Sequence, residues 1–138
     1  NIKAGANFDN YSEIRGDEGN DKVVIEKGAN ITTSAIKGGD GEDTLNISET
    51  IDFSRVKDFE KLELGGTENN VETTITAKDV LDMTDSDNRL RIDGESGDTL
   101  HLKNFTQGNV GADYTEYNGT TQSVTVEVKN EINVDILP

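Results

Sequence analysis

The chain has 138 residues, enough for one domain or for a short repeat array with a small cap. Acidic residues outnumber basic ones by 28 to 13, and the formal net charge of −15 disfavours nucleic acid as a partner. A saline habitat is an alternative explanation for this charge. Without cysteine there is no disulfide, and 31% apolar residues suit thin stacked strands better than a thick core.

No apolar run approaches the roughly 20 residues of a membrane-spanning helix, and the first residues do not follow the pattern of a signal peptide. The chain starts at an asparagine within a repeat, so we expect it to be a segment of a longer protein.

An acidic, glycine-rich turn occurs twice. The first turn (16–21) reads GDEGND, and the second turn (38–43) reads GGDGED. Both follow the nonapeptide pattern G-G-x-G-x-D-x-U-x, in which six residues turn and three form a short strand. Calcium prefers about six to eight oxygen ligands from carboxylates and peptide carbonyls. Glycine adopts positive φ values, which allows successive carbonyl groups of a turn to point toward one ion. One turn offers too few oxygens, so the pattern predicts a calcium site between two stacked turns.

The spacing of the two turns tests whether they can stack. Gly16 and Gly38 are 22 residues apart, Asp21 and Asp43 repeat that interval, and an isoleucine precedes each turn by two residues. Clusters of Gly, Asp and Asn are also ordinary loop punctuation, but this alternative does not explain why the flanking residues repeat as well.

Each repeat, or rung, consists of an acidic turn, a strand (23–26), an opposite turn (27–30) and a return strand (31–36). Such short strands cannot bury a core alone and must stack. The sequence therefore predicts a short right-handed parallel β-roll over residues 1–50. A third turn would begin at Glu60, which stands in place of glycine, so we expect the series to end there with one well-formed site, weaker flanking sites being the alternative.

Residues 51–138 are predicted to form a β-rich, solenoid-like or capping region, because apolar residues alternate along several segments. One short helix is expected near 77–84, since Thr76 and Asp79 approximate a capping box. Three apolar residues of this helix would pack on the sheet: Val80, Leu81 and Met83. The predicted class is all-β.

A hairpin is predicted over residues 112–129. The dipeptide Asn118-Gly119 accepts the positive φ values of a tight turn and would join its two strands.

A weaker acidic turn spans residues 93–98. It contains Gly94 and Gly97 but lacks the spacing of the first two turns, and it remains an alternative calcium site.

The sequence carries no catalytic signature. His101 is the single histidine and lies between two leucines on a predicted strand. No zinc spacing, phosphate loop or nucleophile elbow accompanies it, so we expect the protein not to be an enzyme.

The two turns resemble the RTX repeats of bacterial proteins exported by type I secretion, and residues 71–102 look like a segment adjoining the repeats of large RTX adhesins. The resemblance implies a Ca²⁺ ion between the turns. Its ligands would be the carbonyls of Asp17 and Gly19 with the Asp21 carboxylate, and the carbonyls of Gly38 and Asp40 with the Asp43 carboxylate. The first turn departs from the family pattern by having Asp17 where the second glycine usually stands.

Three function classes follow from this resemblance. The first is a calcium-dependent structural module of a secreted bacterial adhesin at the cell surface, supporting cell adhesion or biofilm formation. The second is a ligand-binding domain of the same adhesin, lectin-like or peptide-binding, or a platform for such a domain. The third is the non-catalytic tail of a secreted enzyme or toxin. The expected partners are calcium, neighbouring domains of the longer chain and a cell-surface glycan or protein. The chain is expected to be a monomer.

Overall fold

The computed structural model describes residues 12–31, 34–65 and 70–138. These residues form thirteen strands, one α-helix and one 3-10 helix, Phe53–Arg55, so the all-β class is confirmed. Of these residues, none belongs to a helix long and apolar enough to cross a membrane. The elements are β1 (Glu13–Glu18), β2 (Lys22–Ile25), β3 (Ala35–Asp40), β4 (Thr44–Ile47), β5 (Val56–Lys57), β6 (Lys61–Leu64), β7 (Glu72–Thr76), α1 (Ala77–Met83), β8 (Arg89–Asp93), β9 (Thr99–Lys103), β10 (Phe105–Val110), β11 (Tyr114–Gly119), β12 (Thr125–Lys129) and β13 (Asn133–Leu137).

The strands form three sheets. The largest has the order β10-β11-β12-β8-β6-β4-β2, and it is parallel from β2 to β12 but antiparallel across β10, β11 and β12. The other two sheets, β1-β3-β5 and β13-β9-β7, are parallel throughout. Every parallel pair therefore joins strands that are not consecutive in the chain, which requires the chain to cross over between them.

The 22-residue period of the sequence is the register of the first strand pairs. Ile14 lies opposite Ile36 in β1 and β3, and Lys22 lies opposite Thr44 in β2 and β4. The return strand predicted over 31–36 is β3, which begins only at Ala35, and two of its predicted residues lie outside the described ones. The first eleven residues of the predicted 1–50 roll lie outside them too.

The core is built from inward-facing apolar residues that repeat at the same position in successive parallel strands. One such row crosses the large sheet, and all of its side chains are buried because alternate residues of each strand point inward. Full burial of each side chain stabilises the fold by roughly 1.5–3 kcal/mol. The row consists of Val23, Leu45, Leu62, Ile92 and Val128.

The interval between paired residues becomes shorter after the first two turns. Ile36 pairs with Val56, an interval of 20 residues, whereas Thr44 pairs with Lys61, an interval of 17. The connection between β5 and β6 (58–60, here called the third turn) is therefore shorter than the first two turns. Glu60 precedes Lys61 as Asp43 precedes Thr44, so the prediction that Glu60 takes the place of a glycine is wrong.

The helix α1 begins at the predicted capping box. The Thr76 side chain accepts the Asp79 N–H at 3.1 Å, and Asp79 Oδ2 accepts the Thr76 N–H at 2.8 Å. Its buried residues are Ala77, Val80 and Met83, whereas Leu81 is exposed, which corrects the expectation that Leu81 packs on the sheet.

Strands β11 and β12 pair antiparallel within the predicted hairpin, but their connection is residues 120–124. Asn118 and Gly119 belong to β11, and neither has a positive φ, so the prediction of a tight turn at this dipeptide is wrong. Gly119 serves close packing instead, because a Cβ there would lie 2.5 Å from the Gln122 carbonyl oxygen.

Candidate metal centre

The first and second acidic turns lie directly against each other. Asp17 is opposite Gly39 at the ends of β1 and β3, and the Gly19 N–H donates to the Asp40 carbonyl at 2.8 Å. Beyond the turns, the Thr44 N–H donates to the carbonyl of Asp21 at 2.9 Å. The two turns are therefore in register over their whole length, as a calcium site between them requires.

The paired second positions of the two turns share an unusual backbone conformation. Asp17 has a φ of 75° and Gly39 has a φ of 121°. Aspartate is one of the few residues other than glycine that adopt positive φ, so the departure of the first turn from the G-G pattern leaves its shape intact.

The two predicted carboxylate ligands are stacked at the ends of their turns. Asp43 is 0% exposed, and its Oδ1 accepts the N–H of Asp21 at 2.7 Å. The Oδ2 atoms of both Asp21 and Asp43 are buried and have no hydrogen-bond partner among the described residues. An unpartnered, buried carboxylate oxygen is costly, and a bound cation is one means of satisfying it.

An oxygen cradle lies over Gly16. A Cβ at this position would lie 2.4 Å from the Gly38 carbonyl oxygen and 2.6 Å from Asp21 Oδ2. The absence of a side chain at Gly16 therefore leaves room for both oxygens. We name this arrangement the first cradle.

The structure brings some of the six predicted calcium ligands close together but not all of them. The Asp21 carboxylate and the Gly38 carbonyl meet in the first cradle, and Asp43 is joined to them through the Asp21 N–H. The Asp40 carbonyl already accepts a hydrogen bond, from the Gly19 N–H. The carbonyl oxygens of Asp17 and Gly19 lie close to glycines of the second turn. A Cβ added to Gly39 would lie 1.9 Å from the Asp17 oxygen, and a Cβ added to Gly41 would lie 2.0 Å from the Gly19 oxygen.

The donor chemistry of the first cradle fits calcium. Carboxylate and peptide oxygens are the ligands that Ca²⁺ prefers. Within residues 12–31, 34–65 and 70–138, no three His, Cys, Asp or Glu side chains form a metal-binding group. A metal here would therefore depend on backbone carbonyls as much as on side chains.

A third carboxylate continues the stack, and the sequence analysis missed its role. Glu60 Oε2 accepts the Asp43 N–H at 2.8 Å, as Asp43 Oδ1 accepts the Asp21 N–H. The pattern of buried leucines could have identified Glu60, because aligning Leu62 with Leu45 places Glu60 beside Asp43.

Negative charge accumulates around the second and third turns. Burial raises the pKa of the Glu60 carboxyl, and the charges of Asp85 and Asp43 act in the same direction. Burial also raises the pKa of Asp85, helped by Asp58 and other nearby aspartates. The carboxylates therefore repel one another, and a bound cation would relieve that repulsion.

The weaker acidic turn at 93–98 is organised differently. Asp98 is 2% exposed, its Oδ1 accepts the Val71 N–H at 2.9 Å and its Oδ2 accepts the Glu95 N–H at 2.8 Å. Both carboxylate oxygens are engaged by the backbone, so Asp98 ties the start of β7 to the turn before β9. The geometry gives no support to the alternative calcium site here.

Replacing Asp98 with asparagine is expected to lower the free energy of unfolding by about 2–3 kcal/mol. The asparagine NH₂ group would face one of the two backbone N–H donors and leave it unsatisfied. Chemical denaturation of Asp98→Asn checks this, with the exposed Asp113→Asn as the control. A loss that disappears when calcium is chelated would instead indicate a metal ligand.

Comparison of the chain with protein-family models, with curated proteins and with solved structures finds no significant match. Function must therefore be inferred from the residues and from the geometry of the turns.

Proposed function

We propose that this chain is a calcium-dependent structural module of a secreted bacterial RTX adhesin. The observation that carries the proposal is the pair of buried, unpartnered oxygens on Asp21 and Asp43, in two glycine turns stacked in register. Calcium would supply the charge that these oxygens lack. It would also join the turns, as disulfides do in other small extracellular domains.

In this proposal the stacked strands form a short right-handed β-roll, with calcium along one side. The parallel order of β1, β3 and β5, and of β2, β4 and β6, supports it, because a roll places successive strands of each face side by side. The strands beyond β6 would continue or cap the roll.

Calcium would act as the switch between an unfolded and a folded chain. A net charge of −15 opposes compaction when calcium is scarce, as it is in the bacterial cytosol. Outside the cell, calcium binds the folded turns and not the open chain, so binding free energy becomes folding free energy. The module would thus be only marginally stable at cytosolic calcium, which favours export of an open chain, and would become rigid at the cell surface.

No catalytic role is proposed, and the adhesin class is preferred to the tail of an enzyme or toxin because residues 71–102 resemble adhesin sequence. A ligand-binding role is second. Three tyrosines could line a sugar or peptide site, and Tyr11 lies outside the described residues. The other two are engaged within the fold: Tyr117 is 7% exposed, and Tyr114 donates to Asp93 at 2.6 Å and stacks on Arg91. Neighbouring adhesin domains remain the expected partners, together with a cell-surface glycan or protein.

Adding calcium to the chelator-treated chain is expected to raise its melting temperature by about 10 °C at a concentration near 100 times Kd, because one site then contributes about 2.7 kcal/mol. Differential scanning calorimetry and circular dichroism measure the effect. Asp21→Ala should reduce it, whereas Asp113→Ala removes an exposed carboxylate and should leave it intact. An unchanged melting temperature in calcium and in chelator would refute the proposed function.

A further inference from the structure

Three side chains with complementary chemistry meet on the outward face of the large sheet. Lys22 belongs to β2, Asn46 to β4 and Glu63 to β6, and these three strands are adjacent and parallel. The Lys22 ammonium group donates to Glu63 Oε2, and the Asn46 side-chain amide donates to the same oxygen atom at 3.0 Å. One carboxylate oxygen therefore contacts both an amine and a primary amide.

The Lys22 side chain crosses β4 to reach this carboxylate. In the register of the sheet Lys22 lies opposite Thr44, and Asn46 lies opposite Glu63. Strands β2 and β6 are two strand spacings apart, about 10 Å, and the extended lysine side chain spans that width. The Lys22 amine is thus separated from the Asn46 amide by a single oxygen atom that both contact.

The Asn46 amide is shielded from water and is held by its nitrogen. Asn46 is 5% exposed, and its Oδ1 is buried without a hydrogen-bond partner among the described residues. The carbonyl group is therefore not fixed by a donor, and rotation about the last side-chain torsion can turn Cγ toward Lys22. Exclusion of water also protects the amide from hydrolysis.

The Glu63 carboxylate is ionised and can accept a proton. Burial acts to raise its pKa, but hydrogen bonds from Lys22 and Asn46 outweigh burial and lower the pKa. An ammonium group must lose a proton before its nitrogen can attack a carbonyl carbon, and a carboxylate in contact with it can take that proton. The same oxygen also contacts the amide nitrogen, which has to be protonated in order to leave.

We propose that Lys22 and Asn46 form an intramolecular isopeptide bond, with Glu63 as the proton relay. Lys22 Nζ attacks Asn46 Cγ, the new Nζ–Cγ bond replaces the Cγ–Nδ2 bond, and the released nitrogen leaves as ammonium. Glu63 carries two protons, one after the other, from the Lys22 nitrogen to the departing nitrogen, so its carboxylate is regenerated. The reaction exchanges one amide for another and needs no oxidant or co-reactant. The fold supplies the rate by holding the groups together.

The bond joins the first two repeats covalently. It closes the chain between positions 22 and 46 into a ring that contains the second acidic turn. The chain has no cysteine, and the bond gives it the constraint on the unfolded state that a disulfide supplies in other proteins. A pulling force then cannot separate β2 from β4. This inference goes beyond calcium binding and does not depend on it.

Mass spectrometry of the denatured chain, after it has folded in calcium, tests the bond. The intact mass should be lower than the sequence mass by one ammonia. Trypsin should fail to cut after Lys22 and should release segments 16–27 and 38–55 as one joined peptide. An intact mass equal to the sequence mass after prolonged incubation of the folded chain would overturn the inference. So would an ammonia loss confined to the peptide with Asn118-Gly119, which can form a succinimide.

Lys22→Arg and Lys61→Arg form a matched pair of variants. Both lysines lie in the same outward-facing row, on either side of Thr44, and both pair with a glutamate. Lys22→Arg keeps the positive charge but has no primary amine, so its mass should equal that of its sequence. Lys61→Arg should still lose one ammonia. An ammonia loss that persists in Lys22→Arg would show that Lys22 is not the amine involved and would overturn the bond.

Glu63→Gln separates proton relay from positioning. Glutamine still accepts a hydrogen bond but is not a base, so the folded variant should link at least about a hundredfold more slowly. Linking at an unchanged rate would overturn the role of Glu63. Calcium titration of the unsubstituted chain distinguishes this inference from the proposed function. A chain that binds calcium but has its full sequence mass overturns the bond alone, and a linked chain that binds no calcium overturns the proposed function alone.

Discussion

Gly38→Ala is expected to lower the free energy of unfolding by about 3 kcal/mol or more, with or without calcium. Gly38 is buried, and an added Cβ would lie 1.9 Å from the Asp58 carbonyl oxygen and 2.5 Å from Asp43 Oδ2. The nearer contact is with the backbone of the third turn, which cannot move away as a flexible side chain can. Strands β3 and β5 would have to separate. Denaturant unfolding in chelator and in calcium measures the loss.

Gly19→Ala is the matched control, because it isolates backbone conformation from packing. Gly19 has a φ of 114° and open space where a Cβ would lie, whereas Gly38 has no positive φ. Gly19→Ala should therefore cost only about 1–2 kcal/mol. Equal losses in the two variants would show that the glycines are needed for turn conformation and not for the close approach of the turns.

The parts of the fold that could be predicted from sequence are those with local or repeated signals. The capping box of α1 involves residues three apart, so its hydrogen bonds hardly depend on the rest of the chain. The pairing of Ile14 with Ile36 follows from an interval that the acidic turns repeat. Repetition helps because identical units stack in register when their buried faces match.

The predictions that failed depend on long-range packing. Asn118-Gly119 has the composition of a tight turn, but Asn118 pairs with Thr125 in β12 and Gly119 pairs with Phe105 in β10. The central position of β11 between two strands outweighs the local preference of the dipeptide.

Part of the candidate site was equally hidden from the sequence. Extending the 22-residue interval unchanged predicts a third turn that begins at Glu60, where the glycine is missing. The register is set instead by buried leucines, which place Leu62 opposite Leu45 and so bring Glu60 to Asp43. Which carboxylate oxygens lack a partner follows only from this packing, so the unpartnered Oδ2 of Asp43 could not be predicted from spacing.

Asp43→Asn is expected to have opposite effects on stability without and with calcium. Without calcium, Asp43 is a buried charge with an unpartnered Oδ2, and it contributes to the raised pKa values of Glu60 and Asp85. The asparagine oxygen can still accept the Asp21 N–H, and a neutral NH₂ group takes the place of the unpartnered Oδ2. The variant should therefore be more stable than the unsubstituted chain by about 1 kcal/mol or more in chelator.

With calcium the order should reverse, because the proposed site would use the Asp43 carboxylate as a ligand, and asparagine would replace it poorly. Loss of one site removes about 2.7 kcal/mol at a calcium concentration of 100 times Kd, so Asp43→Asn should become the less stable chain by about 2 kcal/mol. Paired denaturation curves in chelator and in calcium, with the exposed Asp113→Asn as control, measure both signs. A variant destabilised equally in both conditions would mean that Asp43 acts only through its hydrogen bond to Asp21, and one stabilised equally in both would mean that its buried charge meets no cation. Only a change of sign is consistent with a carboxylate that opposes folding by itself and promotes folding when calcium is bound.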